Sequence, residues 1–138
     1  MHLRIDIVEQ AVRDAGVLAA GIGPAGYHVG YGLAEANLRN RLSVVADCCN
    51  PLGITREAWR RVADRAGVAL LDVEIICSDA AEHRRRVEQR TADIPGFVLP
   101  EWSDVLGHCY EPWPARPLQI DTARHGIAEC VRQIRAVL

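Results

Sequence analysis

Residues 68–90 of the chain are VALLDVEIICSDAAEHRRRVEQR, where an apolar, β-branched run is followed by a charged one. The run at residues 68–77 has the length and composition of a strand. Ser78 and Asp79 are residue types that cap helices, and residues 81–93 (AEHRRRVEQRTAD) then predict an arginine-rich helix. A strand that leads directly into a helix is typical of α/β domains with parallel strands.

The same alternation recurs on both sides of this stretch. Residues 42–46 form an apolar run that ends at Asp47 and predicts a strand buried on both faces. Thr55 is predicted to cap the next helix, and Gly67 to end it. Further strands are predicted at residues 3–6 and 118–122, and further helices from Ile7, at residues 25–39, around residues 102–108 and at residues 126–138. The pattern predicts an α/β fold with a mostly parallel sheet.

Length and composition indicate one domain over residues 1–138. The net charge is −2, so no basic field attracts a nucleic acid or an anionic membrane, and neither is expected as a partner. No apolar run approaches bilayer length, and the N-terminus lacks a signal-like apolar stretch, so we expect a cytoplasmic protein. The five cysteines include no CxxC pair and predict reduced thiols rather than disulfides or a zinc site.

Carboxylates follow the predicted strands. Asp6, Asp47, the pair Ser78-Asp79 and the pair Asp121-Thr122 all stand where a strand ends. In open α/β sheets, ligands bind outside the carboxyl ends of the strands, so these residues form a candidate site. Asp47 has two interpretations: it binds a metal through water or orients a nucleophile, or it caps the turn at Asn50.

The arginine run offers a second candidate. Arg86 and Arg90 are one helical turn apart on one face of the predicted helix. Two guanidinium groups in that arrangement suit a lid that closes over a polyphosphate. The alternative is a solvated helix stabilised by Glu–Arg pairs.

Four segments together carry a resemblance to a known family: RID, GPAGYHVGYGLAEANL, VVADCCNPLGITREAWRRVADRAG and VEIICSDAAEHRRRVEQR. The sequence resembles bacterial AAA-type ATP-binding proteins described as predicted kinases, which are P-loop proteins similar to gluconate kinases, zeta toxins and chloramphenicol phosphotransferase. The resemblance covers essentially the whole chain. It implies a P-loop NTPase-like three-layer sandwich and transfer of phosphate from ATP, with Mg²⁺, to a small-molecule hydroxyl.

The resemblance also implies roles for individual residues. Asp6 would contact or deprotonate the acceptor hydroxyl, and Asp47 would be the Walker B-like carboxylate. Arg86 and Arg90 would be lid arginines, and Arg124 would lie beside the adenine.

The family's phosphate-binding loop, GxxGxGK[ST], has no counterpart in the chain. All sixteen basic residues are arginines, and no glycine precedes Gly16. We therefore expect a domain that lacks its first, central strand and that does not bind ATP and Mg²⁺ tightly. One hypothesis is a fragment of an ATP-dependent phosphotransferase, whose complete form begins upstream. The alternative is a catalytically silent relative that acts as a binding or interaction module.

Loss of the central strand would have a structural consequence. In the related kinases that strand lies between the Asp47 strand and the strand at residues 68–77. Without it, these two strands should either leave a gap or pair directly. Open, apolar sheet edges also predict self-association.

Overall fold

The computed structural model describes residues 1–16, 21–113 and 117–138. These residues form two compact units. Unit 1 contains Met1–Leu70 and Ala92–Val98, and unit 2 contains Leu71–Thr91 and Leu99–Leu138. Each unit has one small parallel sheet with helices, so the mixed α/β class is confirmed. The single domain over residues 1–138 stays a prediction.

Unit 1 has two strands and three helices. In chain order they are β1 (His2–Arg4), α1 (Ile5–Asp14), α2 (Ala25–Arg39), β2 (Val45–Asp47) and α3 (Gly53–Ala66). Strands β1 and β2 are parallel, with His2 opposite Val45 and Arg4 opposite Asp47. The carboxyl ends of the two strands therefore lie side by side.

The core of unit 1 forms between β1 and the helices. Its buried residues are Leu3, Ile5, Ala34, Trp59 and Val62. Helix α2 approaches this core closely at Gly30, where an added Cβ would lie 2.4 Å from the Ile5 Cδ1 atom. Glycine is therefore required by packing at this position, not by backbone conformation.

Unit 2 has two strands and three helices. They are β3 (Val73–Ile76), α4 (Ala80–Gln89), α5 (Trp102–Gly107), β4 (Leu118–Asp121) and α6 (Ile127–Arg135). Strands β3 and β4 are parallel, with Ile75 opposite Ile120. Ile120 is fully buried and Cys130 of α6 is buried, whereas α4 and α5 bury no residue. The apolar core of unit 2 is thus much smaller than that of unit 1.

Two predicted helix boundaries are confirmed. Gly67 ends α3 in the left-handed conformation, with φ = 68°, which glycine adopts without strain. Asp79 caps α4, because its side chain accepts hydrogen bonds from the backbone N–H groups of Ala81 and Glu82.

Three predicted boundaries were wrong. Helix α1 begins at Ile5, so Asp6 lies in the first helical turn, where the positive end of the helix favours a carboxylate. Helix α3 begins at Gly53, and the Thr55 hydroxyl lies 2.5 Å from Asn50 Oδ1 instead of capping the helix. Helix α4 ends at Gln89, and Arg90 follows it with extended backbone.

The strands are shorter and more exposed than predicted. Strand β3 covers only Val73–Ile76 of the predicted residues 68–77. All three residues of β2 are exposed, so its predicted burial on both faces was wrong. The reason is that β2 has a neighbour on one side only, and an apolar run alone does not reveal how many neighbours a strand has.

The strands of the described segments form two separate sheets, β1–β2 and β3–β4. Direct pairing of β2 with β3, one of the two arrangements expected for a sheet without its central strand, is not formed. The P-loop NTPase-like sandwich stays a prediction. None of the helices in these segments is both long enough and apolar enough to span a bilayer.

Candidate functional site

Two predicted site residues come together at the carboxyl end of the β1–β2 sheet. Asp47 ends β2 opposite Arg4, and Asp6 lies two residues beyond Arg4 in α1. The pKa of the Arg4 guanidinium is raised, first by its hydrogen bonds to Asp93 and then by the charges of Asp93, Asp6 and Asp47. Asp6 and Asp47 therefore both lie within electrostatic reach of the Arg4 guanidinium.

Arg4 and Asp93 form an ion pair that the sequence did not predict. The two Arg4 terminal nitrogens donate hydrogen bonds of 2.6 and 3.0 Å to the two Asp93 carboxylate oxygens. This two-point geometry holds the guanidinium in a fixed orientation, and it holds the pKa of Asp93 below its usual value. The residues are 89 positions apart and belong to no shared motif, so only the folded structure reveals the pair.

The loop that follows Asp47 is held by two side chains from the helices of unit 1. The Tyr27 hydroxyl donates a 2.5 Å hydrogen bond to the Cys49 carbonyl oxygen. Arg56 is 1% exposed, and it donates to the carbonyl oxygens of Asn50 and Pro51, both at 2.9 Å. A buried guanidinium needs such acceptors, and they in turn fix the loop backbone. The loop is therefore pre-organised around the end of β2.

Burial also affects the Cys48 thiol in this loop. Burial raises the pKa of its thiol to about 11, and the neighbouring Trp59 and Tyr27 side chains lower it only in part. The thiolate is the reactive form of cysteine, so Cys48 stays protonated near neutral pH. All five cysteines are free.

In unit 2, Asp121 joins the ends of β3 and β4. Its carboxylate accepts hydrogen bonds from the Ser78 backbone N–H at 3.0 Å, the Ser78 hydroxyl at 2.6 Å and the Ala123 N–H at 3.1 Å. Exposed Arg124 lies 3.1 Å from the same carboxylate. These bonds, led by that from the Ser78 hydroxyl, lower the pKa of Asp121. Asp121 thus stabilises the strand ends, and Arg124 is engaged with it.

Arg86 also binds at this end of the sheet. Its Nε donates to Glu82, and its two terminal nitrogens donate to the Thr122 hydroxyl and carbonyl oxygens at 3.0 and 3.1 Å. Arg90 instead donates to the Pro100 carbonyl oxygen at 3.1 Å. Each of the two proposed lid arginines therefore has its own partner.

Arg86 and Arg90 line two different grooves in unit 2. Arg90 lines a groove of about 580 Å³ between α4 and α5, together with Trp102 and Leu106. Arg86 lines a groove of about 420 Å³ along β3, together with His83. The structure does not bring Arg86 and Arg90 together around one cavity, and their role as lid residues stays a prediction.

The residues present do not fit the ATP and Mg²⁺ site that the family resemblance implies. The chain contains no lysine and no GxxGxGK[ST] loop whose N–H groups could surround a phosphate. Within residues 1–16, 21–113 and 117–138, no group of three or more His, Cys, Asp or Glu side chains is placed to hold a metal ion.

Comparison with known proteins finds no matching family model, no matching curated protein and no matching solved structure. The site therefore has to be interpreted from its own chemistry.

Proposed function

We propose that this chain carries the acceptor-binding part of an ATP-dependent small-molecule phosphotransferase. The observation that supports the proposal is the position of Asp6 and Asp47 at one end of the β1–β2 sheet: Asp47 ends β2 opposite Arg4, Asp6 lies two residues beyond Arg4, and a pre-organised loop follows Asp47. Carboxylates in this position suit recognition of a hydroxyl compound.

The proposed chemistry uses Asp6 and Asp47 in different ways. Asp6 lies in the first turn of α1. A charged carboxylate accepts the hydrogen bond of an acceptor hydroxyl and holds its oxygen ready for attack. Asp47, 3.1 Å from His2 Nε2, provides a second acceptor for the same compound. These residues include neither the lysine nor the glycine-rich loop that would hold a phosphoryl donor.

Ligand binding by NMR tests this proposal without any need for turnover. Gluconate, uridine and chloramphenicol serve as probes of the sugar-acid, nucleoside and antibiotic classes. We expect at least one to bind, and Asp6→Asn or Asp47→Asn to weaken its binding at least tenfold. The control Asp64→Asn, an exposed position on α3, should bind like the wild type. Equal binding by all four proteins, or no binding of any probe, would contradict the proposal.

ATP hydrolysis provides a second test. We expect no Mg²⁺-dependent hydrolysis above background, because the chain lacks the lysine and the backbone cradle that position the β- and γ-phosphates. Turnover that co-purifies with the folded protein would show that another group in the chain replaces them.

A second candidate function is a catalytically silent interaction module. It is favoured by unit 2, where Arg86 and Asp121 are occupied in holding the strand ends. Failure of all three probes to bind, together with association of the protein with itself or with another chain, would favour this candidate.

A further inference from the structure

In the described part of the chain, both strands of each two-stranded sheet have an outer edge that pairs with no other strand. Among these edges, those of β2 and β3 carry exposed large hydrophobic residues. In unit 1, the Val45 N–H donates to the Met1 carbonyl oxygen, so the backbone groups of Val45 and Asp47 point toward β1. Because these groups alternate in direction along a parallel strand, the N–H and C=O of Ala46 point away from β1. Strand β2 thus presents an open edge.

In unit 2, the β3 edge is the one that carries an exposed large hydrophobic residue. The carbonyl oxygens of Asp72 and Ile76 accept hydrogen bonds from Leu118 and Thr122. By the same alternation, the N–H and C=O groups of Ile75 and Cys77 point away from β4. The groove of about 420 Å³ is lined by all four residues at positions 74–77. Consecutive side chains point to opposite faces of a sheet, so the groove follows the strand backbone.

The two open edges complement each other in apolar surface. Val45 on β2 is 64% exposed and Ile75 on β3 is 57% exposed. Such exposure is unusual for β-branched residues in parallel strands, which are normally covered on both faces. Unpaired strand edges of this kind accept another strand.

The edges also complement each other in charge. Strand β2 ends in Asp47, whose side chain is 54% exposed. The carboxyl end of β3 lies beside Arg86 and His83, which line the same groove, and the Arg86 guanidinium contacts Thr122 there. Asp47 reaches these groups only if β2 and β3 run parallel, and parallel pairing is what both sheets already use.

We propose that the β2 edge of one molecule pairs, in parallel, with the β3 edge of a second copy of this chain. In the register that best matches the two edges, Val45 lies opposite Ile75 and Asp47 opposite Cys77. The Ala46 N–H then donates to the Ile75 carbonyl oxygen, and the Cys77 N–H donates to the Ala46 carbonyl oxygen. The contact joins two different surfaces, so a dimer keeps one open β2 edge and one open β3 edge, and chains can grow. This inference does not require the proposed function, although both use Asp47.

Sedimentation of single variants and their mixtures tests the pairing. Ala46→Pro removes the outward N–H of β2, and Ile75→Lys places a charge on the β3 edge. Over about 10 µM to 1 mM, a range suited to weak association, the wild-type mass should at least double, while each variant alone stays monomeric. Mixed together they should form a 1:1 dimer that grows no further, because each variant supplies the one edge that the other lacks.

Matched controls separate the effect of blocking a strand edge from other effects of a substitution. Ala46→Ser keeps the N–H, and Ile127→Lys changes an exposed isoleucine that belongs to no strand; both should associate like the wild type. Circular dichroism verifies that every variant is folded. A wild type that stays monomeric throughout would overturn the proposal. The proposal would also be overturned if each variant dimerised alone and the mixture associated no further. That result would mean that two identical edges pair with each other.

Hydrogen exchange of the wild type tests the proposal without mutation. The amides of Ala46 and Cys77 should become more protected as the protein concentration rises. The Val45 amide, already bonded to Met1, should not change. Protection of Ala46 and Cys77 that is independent of concentration would indicate pairing inside one molecule and would overturn the intermolecular proposal.

Discussion

In unit 1, residues from β1, α1, α2 and α3 meet in one core of five buried side chains, and a buried arginine fixes the loop beside it. In unit 2, Ile120 and Cys130 are buried, and the strand ends are joined mainly through Asp121, Arg86 and Thr122. Apolar packing responds to changes in volume, whereas exposed polar contacts respond to pH and salt. We therefore expect different changes to destabilise the two units.

The largest effect is expected at Arg56, where packing and hydrogen bonding combine. Arg56→Ala leaves a cavity and removes the donors to the Asn50 and Pro51 carbonyl oxygens. Unit 1 should lose about 3–5 kcal/mol of unfolding free energy. Urea unfolding, followed by Trp59 fluorescence in a Trp102→Phe/Trp113→Phe background, measures the loss.

Arg61→Ala is the matched control for Arg56→Ala. Arg61 is on the same helix, but it is exposed and forms an i,i+4 pair with Glu57 at 3.3 Å. Its removal should cost about 0.3–0.5 kcal/mol. Equal effects of the two substitutions would mean that the loop beside Asp47 is not held by Arg56.

Smaller effects on stability, opposite in sign, are expected from alanine substitutions at two glycines of α2. Gly30→Ala forces a Cβ against Ile5, which should cost about 1–3 kcal/mol. Gly32→Ala meets no atom within 4 Å and should stabilise the helix by about 0.5–1 kcal/mol. Thermal unfolding of both variants measures the contrast. If Ile5→Val does not reduce the cost of Gly30→Ala, the clash is not its cause.

From the sequence, local features of the fold were predicted correctly, whereas contacts between distant residues were missed. Gly67 and Asp79 were identified correctly as helix ends because their effect is local: one backbone conformation and one cap within three residues. The burial and hydrogen bonds of Arg56 were not predicted, because the sequence pattern does not show which carbonyl oxygens an arginine will bind. The burial of β2 was predicted wrongly, because the number of neighbouring strands depends on contacts far along the chain.

The candidate site was predicted only in part, for the same reason. The positions of Asp6 and Asp47 near strand ends follow from local pattern, and the parallel pairing of β1 with β2 places Asp47 opposite Arg4, two residues before Asp6. The pair Arg4–Asp93 and the hydrogen bond from Tyr27 to the Cys49 carbonyl depend on residues 89 and 22 positions apart. No short motif encodes contacts of this range.

The smallest effect is expected for acid sensitivity in unit 2. The pKa of Asp121 is lowered in the folded state, chiefly by the Ser78 hydroxyl. A group of this kind stabilises the fold above its unfolded pKa of about 3.9, and the contribution disappears as the pH falls through the lower, folded pKa. Ser78→Ala should therefore raise the pKa of Asp121 and weaken the acid sensitivity of unit 2.

An NMR titration of the Asp121 carboxyl carbon measures this shift. Ser103→Ala, which alters an exposed serine of α5, is the control and should leave the pKa of Asp121 unchanged. An Asp121 pKa that is the same in the wild type and in Ser78→Ala would show that the Ser78 hydroxyl does not hold this carboxylate.

Native-state hydrogen exchange tests most directly the claim that unit 1 is held by packing and unit 2 by polar contacts. We predict that the amides of Leu3 and Val62 exchange only through cooperative unfolding of unit 1, with a strong dependence on denaturant. The amide of Thr122, bonded to the Ile76 carbonyl oxygen, should exchange through a smaller opening that becomes easier as Asp121 is protonated. Identical protection and identical denaturant dependence for all three amides would contradict the account.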